Sequence, residues 1–135
     1  MNRRTALACS LAAAGLALAG CKPSAPAFNS VDITGANYAR DFALTDPGGA
    51  KRTLAQFRGK LVVVFFGFAQ CPDVCPTTLS DYAQVRQKLG ADGDKLQVIF
   101  ITVDPARDTP QVLGQYVPNF DPSFIGLTGT LDEIN

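Results

Sequence analysis

Two stretches of the chain, Leu61–Phe66 and Leu96–Val103, are almost continuously apolar and rich in β-branched and aromatic residues. Neither alternates with polar positions, which is the pattern of strands covered on both faces. Between them Leu79, Tyr82, Val85 and Leu89 recur at helical spacing; Pro76 suits a first helical position and Gly90 a stop. Thr109-Pro110 predicts a second helix to about Tyr116, and Ile125–Thr128 a short strand. Upstream, Phe42–Thr45 and Lys51–Thr53 flank Asp46-Pro47-Gly48-Gly49, a turn cluster that predicts a hairpin. A short helical turn through Leu54 and Phe57 ends at Gly59.

Strand, helix, strand, helix with apolar strands predicts an α/β fold with parallel central strands and right-handed crossovers. The expected architecture is thioredoxin-like, with an N-terminal hairpin. Near the end, Thr130-Leu131-Asp132-Glu133 forms a capping box for a further helix. The chain stops at Asn135, before that helix completes a turn. An isolated helix needs on the order of 12 residues to be even marginal. The reading at this point is a domain cut short.

The first twenty residues stand apart. Asn2-Arg3-Arg4 is a positive start, and Thr5–Gly20 is an apolar run rich in Leu and Ala. That run is shorter than the roughly 20 residues needed to cross a bilayer, so it reads as a secretory signal. It ends in Leu18-Ala19-Gly20-Cys21, an order that resembles a bacterial lipobox, in which the cysteine is lipidated and becomes the mature N-terminus. The expected organisation is a lipoprotein signal at 1–20, a lipid-anchored tether at 21–37 and the folded domain at 38–135. Twelve basic residues balance twelve acidic ones, and losing Arg3 and Arg4 with the signal leaves a net charge of −2. No basic patch results, so no nucleic-acid partner is expected.

Cys9 leaves with the signal and Cys21 becomes the anchor, so one thiol pair remains, Cys71 and Cys75, in an oxidising compartment. The pair follows the first apolar run and precedes the helix, the end of a strand where α/β folds place ligands. A thiolate is both a nucleophile and a metal ligand, and a helix N-terminus favours it. Cys75, immediately before Pro76, is expected to gain most from this. Soft thiolates select Cu(I) and zinc. A structural zinc site wants four ligands, and the chain has no histidine, its only methionine being Met1. Zinc is therefore disfavoured, whereas Cu(I) accepts two ligands. Thiol–disulfide exchange and a plain structural disulfide remain open, since three residues separate the cysteines. Asp104, with Arg107, Asp108 and Thr109, is expected to cap a loop and helix. Asp73 reads as solvated, Phe65, Phe66 and Phe68 as core or site lining, and Tyr38, Tyr82 and Tyr116 as without a redox role.

Gly67-Phe68-Ala69-Gln70-Cys71-Pro72-Asp73-Val74-Cys75-Pro76-Thr77-Thr78-Leu79 resembles the signature of the Sco/SenC copper proteins. Val103-Asp104-Pro105-Ala106-Arg107-Asp108-Thr109-Pro110 is similar to that family's second signature, and the likeness runs from about Phe28 to Thr130. The resemblance implies a thioredoxin-like domain in the bacterial cell envelope, lipid-anchored to a membrane and facing the periplasm. It implies copper held by Cys71 and Cys75, with a later histidine for which this chain offers no position and with the fold's C-terminal strands and helix missing along with it. Cu(I) is then the expected ion, and stable binding of Cu(II) is not expected. The implied partner is cytochrome c oxidase subunit II, whose binuclear copper site the family loads. The alternative is a thiol–disulfide oxidoreductase that keeps that site's cysteines reduced.

Overall fold

The computed structural model describes residues 29–38 and 40–134. The signal expected at 1–20 and the anchor at Cys21 lie outside the described residues. From Asn37 onward the chain forms one compact unit. In the segment before it, the Asp32 carboxylate accepts hydrogen bonds from the Thr34 N–H and hydroxyl at 2.9 and 2.6 Å.

The hairpin forms as predicted, with β1 (Ala43–Thr45) antiparallel to β2 (Lys51–Thr53). Its turn is held by the buried Asp46, which accepts from the Ala50 N–H at 2.9 Å and from Arg52 Nε at 2.7 Å. Burial works against that charge, yet the Arg52 guanidinium and the Ala50 N–H hold the carboxyl below its ordinary value. Gly49 closes the turn at φ +84°, a conformation that side chains disfavour. A 3-10 turn at Leu54–Phe57 then leads into β3 (Leu61–Gly67).

Helix α1 (Val74–Leu89) leads through a 3-10 stretch to β4 (Leu96–Thr102), and α2 (Pro110–Tyr116) leads to β5 (Ile125–Leu127). The three strands are parallel, in the order β3-β4-β5, with Phe65 beside Phe100 and Phe100 beside Gly126. Reciprocal bonds between Thr45 and Thr128, at 2.7 and 2.9 Å, join the hairpin to the end of β5. The short α3 (Leu131–Ile134) carries the predicted capping box: the Glu133 N–H donates to Thr130 Oγ1, and the Thr130 N–H to Glu133 Oε2.

Alternation along the strands divides the core into two. On one face Val98 and Phe100 pack with Leu79, Leu113, Val117 and Phe124 beneath the helices. On the other, Ile99, Ile101 and Leu127 pack with Leu44 and Phe57. Every residue of β4 is buried, as its almost continuous apolar run predicts.

The same expectation fails for β3, where Leu61, Val64 and Phe66 are 67%, 40% and 54% exposed. Among the described residues β3 pairs only with β4, and the hairpin covers the sheet from the β5 side. Phe66 is thus neither core nor site lining, and it borders a groove of about 430 Å³ with Phe42 and Ile134. Helix α1 also departs from its predicted register. It starts at Val74, two residues before Pro76, and Val85 and Leu89 are exposed. Arg86 turns inward instead, donating to the carbonyl of Leu96 at 3.1 Å and pairing with Asp94 and Asp121.

Candidate functional site: a dithiol at a helix mouth

Strand β3 ends at Gly67, and the loop from Phe68 to Asp73 carries Cys71 to the start of α1, which holds Cys75 in its first turn. The structure therefore brings the two predicted thiols together. Both are free; Cys75 is buried and Cys71 half-buried. The Cys75 backbone N–H points at Cys71 Sγ at 3.4 Å.

This geometry makes the two sulfurs unequal, in the reverse sense to the sequence expectation. The Cys75 thiol and the backbone N–H groups of Cys75, Asp73 and Val74 hydrogen-bond to Cys71 and bring its pKa below the ordinary 9.0. Cys75 is pushed above that value, first by burial and then by donating to Cys71. The helix start does acidify a thiol, but its free N–H groups converge on the residue ahead of the helix. Cys75 lies too far inside the first turn to receive them.

The loop between the strand and the cysteines is pinned by Asp108, which is 2% exposed. One of its oxygens accepts from the Ala69 N–H at 2.9 Å and from the Thr102 hydroxyl at 2.6 Å. Thr102 Oγ1 in turn accepts from the Asp104 N–H at 2.9 Å. The carboxylate of Asp104 pairs with Arg107, whose Nη1 reaches Gln70 Oε1 at 3.4 Å, next to Cys71. Asp104 thus braces a loop, and Thr109 caps α2 by accepting from the Val112 N–H. Asp73 is exposed at the N-cap of α1 without a side-chain capping bond.

Gly67 is the other hidden requirement. A Cβ there would lie 2.8 Å from Phe100 Cε2 and 2.9 Å from Cys75 Sγ, so glycine is what lets the sulfur sit against the strand end. Phe65 packs on Phe100 at 5.9 Å between ring centroids, and Tyr116 on the same ring at 5.8 Å. Neither Asp108 nor Gly67 announces its role in the sequence. Both lie inside the motifs quoted above, where Asp108 passes as a helix cap and Gly67 as an ordinary strand terminus. Among the described residues no cluster of three or more His, Cys, Asp or Glu side chains could enclose a metal ion.

A parallel sheet with a dithiol between its first parallel strand and the following helix defines a thioredoxin-like protein. Comparison with known proteins narrows the class. The SCO1/SenC family model matches residues 31–135, and the chain belongs to that family. The mitochondrial SCO2 homolog of Mus musculus is 45% identical over 96 residues, 70% of this chain and 38% of its own length. The copper-bound structure of Bradyrhizobium japonicum ScoI superposes with a TM-score of 0.65 at 46% identity, over 70% of this chain and 60% of that one. BsSco, a Sco-family cytochrome c oxidase assembly protein with an identified disulfide switch, gives a TM-score of 0.58 at 26% identity, over 70% and 57%. The chain thus spans a little over a third of the mouse protein's length.

Proposed function

We propose that the chain carries Cu(I) as cargo on Cys71 and Cys75 and serves assembly of the copper site of cytochrome c oxidase. The observation that carries this reading is the pairing of an acidified, half-buried sulfur with a buried one across a single helix mouth. Two thiolates are a sufficient donor set for a soft monovalent ion. Cys71, favoured as thiolate, meets the incoming ion. Cys75 then gives up its proton to water and completes the pair, leaving one net negative charge on the dithiolate complex. The sequence has no histidine and Met1 is its only methionine, so no imidazole joins the two thiolates, and this favours Cu(I) over Cu(II). Support comes from the family match and from the copper-bound ScoI relative. We place the domain at the bacterial envelope, lipid-anchored through Cys21 and facing the periplasm, with oxidase subunit II as recipient.

The test is anaerobic titration of the reduced chain with Cu(I) against a chromophoric chelator, with Cys71→Ser and Cys75→Ser alongside. The wild type should take up one Cu(I), and each variant should lose it. Uptake that survives either substitution would reject the site.

The unequal acidities also favour a second reading, thiol–disulfide exchange on the oxidase's copper-site cysteines. Cys71 would attack the substrate disulfide as thiolate and Cys75 would resolve the mixed disulfide. Substrate reduction coupled to appearance of the Cys71–Cys75 disulfide, in metal-free buffer, separates this from carriage.

A further inference from the structure

Two consecutive residues of the loop after β4 grip two consecutive residues of the loop that carries Cys71. Asp108 Oδ2 accepts from the Ala69 N–H at 2.9 Å, and Arg107 Nη1 donates to Gln70 Oε1 at 3.4 Å. The second contact is exposed and long. The first is short, and Asp108 is 2% exposed. Its own N–H donates to the Asp104 carbonyl at 2.9 Å, and the oxygen that holds Ala69 also accepts from Thr102, the last residue of the buried β4. The carboxylate is therefore fixed before it meets the loop.

The peptide unit that Asp108 holds has a second end. A trans peptide is planar, and its carbonyl points away from its N–H. The Ala69 N–H and the Phe68 carbonyl belong to one such unit, and that carbonyl accepts from the Cys71 N–H at 3.1 Å. Fixing one end on a buried carboxylate thus aims the other at the Cys71 backbone. The Cys71 sulfur in turn lies 3.4 Å from the Cys75 N–H, at the start of α1. Hydrogen bonds of ordinary length run without a break from β4, through Asp108 and one peptide plane, to the exposed member of the dithiol.

We propose that Asp108 is a positioning residue of the dithiol site: through the Phe68–Ala69 peptide it sets the Cys71 backbone so that the Cys71 sulfur stands at the mouth of α1 beside Cys75. It acts on the ion only through the loop, by sparing the site the cost of ordering Cys71 when the ion arrives. The inference deepens the carriage reading given above and rests on Cys71 being a ligand.

The test compares three variants with the wild type in the whole reduced chain. Asp108→Ala removes the acceptor, and Asp108→Asn keeps one acceptor oxygen for the Ala69 N–H. Ile99→Val trims a fully buried side chain on the other face of β4, so it lowers stability without touching the loop. Cu(I) retention is read against a chromophoric chelator. Phenylarsine oxide gives a metal-free measure of sulfur placement, because it bridges two thiols with loss of water only where they stand close; its retention is read against a competing small dithiol. Asp108→Ala should lose Cu(I) at about tenfold lower chelator concentration, the scale of one hydrogen bond to a charged group. It should also release the arsenical more readily. Asp108→Asn should recover most of both losses, and Ile99→Val should melt lower while keeping both at the wild-type level. Wild-type retention of both probes by Asp108→Ala would overturn the proposal. So would equal weakening in Ile99→Val, which would make the effect one of stability alone, or no recovery in Asp108→Asn. Should Asp108→Ala fail to fold, Asp108→Ser, whose hydroxyl stops short of the Ala69 N–H, takes its place with the same expectations. If the wild type holds the arsenical but not Cu(I), the carriage reading fails and the arsenical comparison alone decides the role of Asp108. If it holds neither, both fall.

Discussion

Gly67→Ala tests the packing that places the second sulfur. The added methyl would sit 2.8 Å from Phe100 Cε2, 2.9 Å from Cys75 Sγ and 3.2 Å from Phe100 Cζ. Carbon contacts are ordinarily about 3.5–4.0 Å, so the nearest approach is short by roughly 0.7 Å or more. Neither neighbour has room to yield. Phe100 is fully buried, with Phe65 and Tyr116 against its ring, and Cys75 is fixed in the first turn of α1. Gly67 is not among the glycines with positive φ, so the cost is steric rather than conformational. Overpacking of this kind destabilises by about 1–3 kcal/mol. With a urea dependence of about 1–3 kcal/mol per molar, the midpoint should fall by roughly 0.3–3 M.

Because one of the two clashing atoms is the sulfur, the same variant should also hold Cu(I) more weakly. Gly126→Ala supplies the control. Its Cβ would meet Leu113 Cβ and Val117 Cγ2 at 3.0 Å, on β5 and away from the thiols. It should lose stability while keeping the wild-type affinity for Cu(I). Chemical denaturation and chelator competition on the three proteins decide the matter. The reasoning is refuted if Gly67→Ala unfolds with the wild-type midpoint, or if Gly126→Ala weakens Cu(I) binding as much as Gly67→Ala does.

Asp108→Ala would leave the buried Thr102 hydroxyl and the part-buried Ala69 N–H without their acceptor, at roughly 1–3 kcal/mol for the buried group and less for the other. Thermal unfolding should show that loss, and Asp108→Asn should recover part of it. The unequal thiols predict that alkylation at neutral pH, read by mass spectrometry, labels Cys71 before Cys75, with the Cys71 rate rising through a midpoint below 9.0. They also fix the sign of the pH dependence of stability in the reduced chain. The lowered Cys71 pKa contributes stability that is complete above 9.0 and is lost as the pH falls through its folded value. The raised Cys75 pKa contributes stability that is complete below 9.0 and is lost as the pH climbs through its own folded value. Melting should therefore move upward as pH approaches 9.0 and downward beyond it, and Cys75→Ser should lessen the alkaline decline.

The order of elements and the location of the dithiol were legible because each rests on a local signal. Apolar runs mark β3 and β4, Asp46 to Gly49 marks the hairpin, and the Thr130–Glu133 box shows in four residues. What resisted reading depends on partners distant in sequence. Whether a strand is covered on both faces is a property of its neighbours, and β3 carries the same apolar pattern as β4 with, among the described residues, one strand beside it. Likewise Arg86 looks like a surface charge on a helix, and only the fold brings Leu96 and Asp121 to it. The acidity of the two thiols was misassigned for a related reason. Proximity to Pro76 suggested Cys75, but a helix that begins at Val74 moves the focus of its N–H groups back onto Cys71.

That misassignment bears on how such a site can both hold and surrender an ion. Two acidic thiolates would bind a soft cation tightly but repel each other when empty, and two neutral thiols would be slow to bind at all. Here the Cys75 thiol and backbone N–H groups lower the Cys71 pKa, while burial raises that of Cys75 beside it. On the carriage reading proposed above, the empty site is relieved of a second negative charge, and taking up an ion expels a proton from Cys75. Release can run by the same exchange in reverse, the proton returning as the ion leaves for a more strongly binding set of thiolates. The protein portion of that device is the fully buried β4, because Phe100 and Thr102 set where Cys75 and the Asp108-pinned loop can lie. On that reading, rigidity beneath the sulfurs and unequal acidity between them act as one design, and loosening either would impair loading or release.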